Sequence, residues 1–329
     1  MKEKNYMSKE YTTCVRGICA LLVVVHHLYQ YTGLFWGTFI GDVLQSMGYL
    51  CVAVFFFYSG YGLMLSSSKD SYIESFFRKR FFPLYSFYVV LIILYSLWTL
   101  LIEKQISIQN VVQSFFFGET VVTNGWYLQA TFDAYLLYYL CFKILKTYKM
   151  KIFSFSIGII AYIILCYFSG LHIHWYQAIP CMLLGVIYCY KNHDIDVLLK
   201  KRTWLMVILS GVFFGICFGL SIWRNTNAIL NALCALLFVC FVVSLSYVLY
   251  NTPIIKNKFF KLCGKYSLEI YVSHGFFLRL IKLGYIENIY IYIMVVTLCT
   301  TLISFVMKKI NTRIAICWQK INKKTHSSK

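Results

Sequence analysis

The sequence predicts an all-α integral membrane fold of about ten transmembrane helices with both termini in the cytoplasm, and three observations predict it. Hydrophobic residues fill 60% of the 329 positions and charged residues only 13%, which leaves too little polar surface for a soluble protein of this length. The apolar excess recurs along the whole chain rather than in one leader-like segment, and few Pro, Ser or Gly runs interrupt it. The 31 Lys and Arg residues collect in short clusters between the apolar runs.

A bilayer-spanning helix takes roughly 20 mostly apolar residues. Ten stretches fit, at about 12–32, 46–66, 82–102, 125–145, 152–170, 175–190, 204–222, 227–249, 266–283 and 288–307. The sixth is short, which suits a tilted or re-entrant segment. With the N-terminus inside, 27 of the 31 basic residues fall on the cytoplasmic side, leaving Lys104, Arg224, Arg279 and Lys282 outside. That asymmetry sets the orientation. The expected organisation is a cytoplasmic segment 1–11, a membrane domain 12–307 and a basic tail 308–329. The tail reads equally as an interfacial helix on anionic headgroups or as a solvated stop-transfer end.

The formal net charge of +19 would suggest nucleic acid on a soluble protein. Here the positive-inside bias accounts for it, no nucleic-acid motif is present, and the bilayer is the expected partner. The thirteen cysteines lie mostly in apolar runs with no Cys-x-x-Cys, so they read as small packing residues rather than a disulfide framework.

Ionisable groups inside these runs carry the functional signal, because they are costly in a bilayer and usually face a bundle interior or an aqueous cavity. Arg16 and His27 in the first run are eleven residues apart, close to three turns, so they share a face about 16 Å apart along the axis. His26 is rotated by about 100° from His27. His274 lies about 12 Å into the ninth run from Tyr266, and Asp133 about 10 Å into the fourth from Trp126. These depths allow two histidines and a carboxylate to meet, although a lone intramembrane histidine also serves as a hydrogen bond between helices. Arg78, Lys79 and Arg80 precede Pro83 at the start of the third run. They read as positive-inside flanking, or as an anion site formed by arginines and a helix N-terminus. Ser59, Gly60, Tyr61 and Gly62 add polar and small residues at the end of the second run.

Together these pieces resemble the membrane acyltransferase-3 family, polytopic enzymes that O-acylate surface polysaccharides. Arg16 followed after ten residues by His27 matches the family's first-helix arginine and catalytic histidine. "VFFFYSGYGL" resembles its Phe-rich Ser-Gly-Tyr segment, and "RFFP" its Arg-x-x-Pro element through Arg80. "NGWYLQATFDAYLLYYL" is similar to its Trp-Tyr-Leu helix, and "YSLEIYVSHGFF" to its Ser…Tyr…His segment through Ser267, Tyr271 and His274. The family's further arginine upstream of Arg-x-x-Pro falls on Phe77, and its carboxylates after the tryptophan fall on Thr131 and Phe132, next to Asp133.

The resemblance implies an O-acetyltransferase of the plasma membrane in a bacterial cell envelope. Its donor would be cytosolic acyl-CoA, most often acetyl-CoA with succinyl an alternative, and it would need no metal. The acceptor would be a hydroxyl of a surface polysaccharide or lipid-linked glycan, and a separate extracytoplasmic transferase is an admissible partner. His27 would be the catalytic base or carry a transient acyl group, with Asp133 or His274 orienting it. Arg16, Arg78, Arg80, Ser59 and Tyr61 would hold the donor; Trp126, Tyr127 and Tyr271 would meet the acceptor. The competing class is a transporter or flippase of a glycan-lipid or carboxylate cargo, which usually shows internal repeats with broken helices; no repeat between the halves is evident.

Overall fold

The structure is a computed structural model that describes residues 6–117, 120–223, 227–250, 252–253 and 257–327, with Phe117 and the last six in backbone only. Of the charge pattern above, Lys2, Lys4, Arg224, Lys256 and Lys329 lie outside the described residues. The described chain is helical with no strand. Among the described residues, seven helices are long and apolar enough to cross a membrane, where ten spans were expected.

The chain divides into two compact units, Met1–Ser68 with Thr147–Ser267, and Lys69–Lys146 with Leu268–Lys329. The first unit holds α1 (Lys9–Thr32), α2 (Phe39–Ser67), α6 (Tyr148–Phe168), α7 (Pro180–Tyr190), α8 (Asn192–Trp223), α9 (Ala228–Leu249) and α10 (Lys258–Lys265). Sequence sets the helix ends: Ser8 Oγ accepts from Tyr11 N at 3.3 Å to start α1, and Gly33 in the left-handed region (φ 71°) closes it, as caps of these residue types do. Of α1's apolar window 61% is buried within the protein, against 17% for α6, so α1 belongs to the core and α6 to the lipid-facing surface. α2 packs on both α1 and α7. It approaches α7 so closely that a Cβ on Gly60 would overlap the Met182 carbonyl and one on Gly185 the Phe57 carbonyl. Small residues allow such contact between apolar helices, where packing rather than hydrophobicity drives association.

The second unit holds α3 (Phe82–Glu103), α4 (Ile108–Phe117), α5 (Trp126–Ile144), α11 (Ser267–Ser273), α12 (Gly275–Leu278) and α13 (Ile289–Ser327). α3 and α13 pack side by side.

Three expected spans differ. The fourth forms α5, but polar positions such as Gln129, Thr131 and Asp133 leave it short of the apolarity of a spanning helix. The sixth is α7, eleven residues and so about 16 Å, too short to cross. The ninth is irregular at His274, between α11 and α12: the residue keeps helical dihedrals (φ −62°, ψ −32°) and its N–H reaches the Ile270 carbonyl at 3.2 Å, but Phe277 N–H bonds the His274 carbonyl three residues back at 3.1 Å, so the hydrogen-bond ladder breaks step there. Backbone groups freed by a break in a membrane protein need partners from the protein, and α3 supplies them. Tyr95 Oη donates to the Val272 carbonyl at 2.7 Å and Trp98 Nε1 to that of Phe276 at 2.5 Å. The boundary expected at 308 falls inside α13, which continues the tenth span; Trp318 stacks on Phe82 (centroids 5.0 Å) and donates to Ser86 Oγ at 3.1 Å.

Candidate active site

Four candidate residues, Arg16, His27, Ser59 and Tyr61, belong to the first unit. The other seven, Arg78, Arg80, Trp126, Tyr127, Asp133, Tyr271 and His274, belong to the second.

In the first unit α1 separates its adjacent histidines. His26 is 6% exposed. Its Nδ1–H donates to the Leu44 carbonyl at 2.8 Å, and its Nε2 faces Gly48, where any Cβ would overlap the ring. His26 therefore fastens α1 to α2. His27 is half-buried, with its ring at 4.6 Å from that of His26. Its Nδ1 lies 2.9 Å from Gln30 Oε1, while Gln30 Nε2 donates to Gln45 Oε1 at 3.3 Å. An amide oxygen only accepts, so Nδ1 carries the proton and Nε2 carries the lone pair. The sequence offered Asp133 or His274 as the group that orients His27; within its own unit that group is Gln30, one turn on. The i, i+3 spacing of His27 and Gln30 was the available signal, but the amide is aimed by Gln45 of α2. Arg16, half-buried three turns away, is anchored locally: Nε donates to the Thr12 carbonyl at 3.3 Å and Nη2 to Thr13 Oγ1 at 3.2 Å. Ser59 and Tyr61 are half-buried on α2, Tyr61 against the ring of Tyr188 at 6.2 Å.

In the second unit Arg78 and Arg80 are exposed, on a π turn spanning Phe77–Phe81. The helix start expected at Pro83 lies about one turn earlier, at Phe77: Phe82 N–H donates to the Phe77 carbonyl, so the π turn runs directly into α3. Arg78, Lys79 and Arg80 therefore lie in the first turn of the continuous helix Phe77–Glu103. The π turn is the wider helical form often found at functional sites.

His274 is wholly buried at the α11–α12 break. Its Nδ1–H donates to the Ile270 carbonyl at 3.1 Å, and its Nε2 accepts from Asn124 Nδ2 at 3.4 Å. Tyr271 stands at 5.9 Å ring to ring and donates to the Asn124 carbonyl at 3.1 Å; Tyr127 meets the Tyr271 ring at 5.1 Å. Asn124 has φ 60°, a left-handed backbone that Asn tolerates better than most residues. Asn124 is a functional candidate that the sequence motifs do not single out. Its turn residue type preceding Gly125 was the signal. Trp126 is 8% exposed, so its ring packs inside the unit rather than presenting a face to a sugar. Asp133 is half-buried and held within its own helix, accepting from Gln129 Nε2 at 3.1 Å.

Two imidazoles, one per unit, are thus fixed as Nδ1–H tautomers. They differ in burial: His274 is wholly buried, whereas His27 is half-buried.

A family model described as an acyltransferase domain matches residues 10–309 of the chain. No curated protein and no solved structure matches it.

Proposed function

Because the chain belongs to the acyltransferase-3 family of membrane acyltransferases, whose domain occupies residues 10–309, we propose that it transfers an acyl group from cytosolic acyl-CoA to a hydroxyl of a cell-envelope glycan. The acyl group is acetyl in this reading, and the chain sits in the plasma membrane with both termini inside. The observation that carries the reading is the tautomer of His27. An imidazole whose Nδ1–H is taken by Gln30 keeps its lone pair on Nε2, which is what a general base needs.

In the proposed step the acceptor hydroxyl oxygen bonds to the thioester carbonyl carbon while its proton passes to His27 Nε2. The C–S bond then breaks, and the proton returns to the departing thiolate. Arg16 lies along the same face of α1 and offers a cation toward the donor's phosphates, with Arg78 and Arg80 as exposed cations of the second unit. His274, with Nε2 already accepting a hydrogen bond, serves as a positioning group rather than the base. Asp133, paired along α5 with Gln129, has the weakest support as an orienting group.

One observation favours a second reading. The lapse in the helical hydrogen bonding next to His274, whose own backbone stays helical (φ −62°, ψ −32°), is the feature to set beside the discontinuous helices of transporters, which would move a glycan-lipid or carboxylate cargo.

The test compares membranes carrying wild type, His27→Ala and His26→Ala for acyl-CoA-dependent thiol release and for base-labile acyl groups on envelope glycan. Removing a general base costs about 10²- to 10⁴-fold, so His27→Ala should abolish both signals. His26→Ala should lower the amount of folded protein but leave turnover per folded molecule. Equal turnover in wild type and His27→Ala would refute the base, and no thiol release from wild type would favour transport.

A further inference from the structure

The second unit carries a cavity lined by none of the residues given a role above. It lies at the Glu103 end of α3, remote from the Arg78–Lys79–Arg80 turn, and has a volume of about 460 Å³. Small-molecule sites commonly span roughly 300–1,000 Å³. Thr99, Glu103, Gln105, Asn110, Thr120 and Arg279 form most of its wall.

The wall chemistry narrows the ligand. Among the described residues, the side chains of Thr99, Gln105 and Asn110 make no hydrogen bond. A hydroxyl and two carboxamides supply donors and acceptors together, which matches sugar hydroxyls that also donate and accept. The charges among the described lining residues are Glu103 and Arg279, and these pair with each other at 2.5 Å. An anionic ligand would meet a carboxylate and an arginine already engaged, whereas a neutral polyol finds matched partners.

The wall is also held in place. Thr120 Oγ1 donates to the Asn110 carbonyl at 2.6 Å, Val121 N to Ser114 Oγ at 3.0 Å, and Tyr88 Oη to the Ser114 carbonyl at 2.7 Å. Two of its edges lead to His274. Arg279 caps α12, five residues past His274, or about 7.5 Å of helical rise. The strand of loop that begins at Thr120 reaches Asn124, whose amide bonds His274.

We propose that this cavity binds one neutral, hydroxyl-rich residue of the acceptor glycan and so seats the acceptor at the Arg279 end of α12, opposite the His274 end. The proposal names a subsite for the acceptor in the acyltransferase reading and rests on it. The test is saturation-transfer NMR on the full chain in lipid nanodiscs, with methyl β-glucoside and methyl N-acetyl-β-glucosaminide as probes and inorganic phosphate as competitor. Wild type and Gln113→Ala, a change on α4 outside the cavity, should show glycoside signal. Gln105→Ala/Asn110→Ala should reduce it by about five-fold or more, the scale of one or two lost hydrogen bonds, and phosphate should not compete. No glycoside signal in wild type, equal signal in the double variant, or displacement by phosphate would each overturn the proposal. Thiol release from acyl-CoA, measured on the same samples, separates the two readings. Thiol release with an insensitive double variant refutes the cavity alone, and glycoside binding lost in the double variant without thiol release in wild type refutes the acyl transfer alone.

Discussion

Replacing Gln30 by leucine removes the acceptor that holds the His27 ring and keeps nearly the same volume. The bond at issue is the 2.9 Å contact from Nδ1 to Oε1, backed by the 3.3 Å bond from Gln30 to Gln45. A neutral hydrogen bond of this kind contributes about 0.5–1.5 kcal/mol net. If that orientation is needed only when Nε2 takes the proton, the whole amount appears in the barrier, and each 1.36 kcal/mol is tenfold in rate. Gln30→Leu should therefore lower kcat by between about two-fold and about tenfold, with KM for acyl-CoA unchanged, because Gln30 holds the base and not the donor. Gln45→Leu should fall at the low end, since it acts one bond further out. Gln30→Glu retains an acceptor oxygen at the same reach and should recover most of the rate. The assay is acyl-CoA-dependent thiol release by equal amounts of folded protein, with melting temperature as the folding control. A wild-type rate in Gln30→Leu would refute the orienting role. A loss as deep as that of His27→Ala would refute it too, by showing that Gln30 does more than orient.

Other expected outcomes follow from the packing. Gly60→Leu should cost about 1–3 kcal/mol or more through overpacking, because its Cβ would overlap the Met182 carbonyl, whereas Gly62→Leu meets nothing within 4 Å and should melt like wild type. Asn124→Gly and Asn124→Val both lose the amide at His274 and should both lose turnover. Only the valine variant should also lose stability, by about 1–2 kcal/mol, because a branched side chain resists the left-handed backbone. The Tyr6 hydroxyl, bonded to Tyr188 and Asp196, has its pKa raised above the usual phenol value of 10.0 chiefly by burial, then by Tyr188. The folded state resists its ionisation, so this contribution is fully present below about pH 10 and lost as pH rises beyond it. Melting temperature measured from pH 8 to 11 should fall less steeply in Tyr6→Phe than in wild type.

How far the site was legible depended on how local its determinants were. Arg16 and His27 were found from spacing, because a helix converts eleven residues into a shared face whatever surrounds it. His274 was found from composition, as an ionisable residue in an apolar run, yet its run was read as one helix. The break depends on Tyr95 and Trp98, more than 170 residues away in sequence, and no local window contains them. Gln30 carries no signal in the sequence beyond its i, i+3 spacing from His27; only Gln45 aiming its amide gives it a role. The helix start read at Pro83 lies about one turn earlier for a backbone reason, since a π turn and an α-helix start with the same residue types and differ in which carbonyl Phe82 N–H meets.

The sequence by itself determined that the chain is helical, that it carries long apolar spans, and which residues are chemically out of place in them. A bilayer imposes that much on composition and period alone, because each span must satisfy its own backbone and present apolar side chains. Tertiary structure decided which histidine nitrogen keeps its lone pair, which helix is interrupted, and where polar side chains are left facing a cavity. Each of those turns on a hydrogen-bond partner brought from another helix, and a partner's position is a property of the packed chain rather than of any stretch of it.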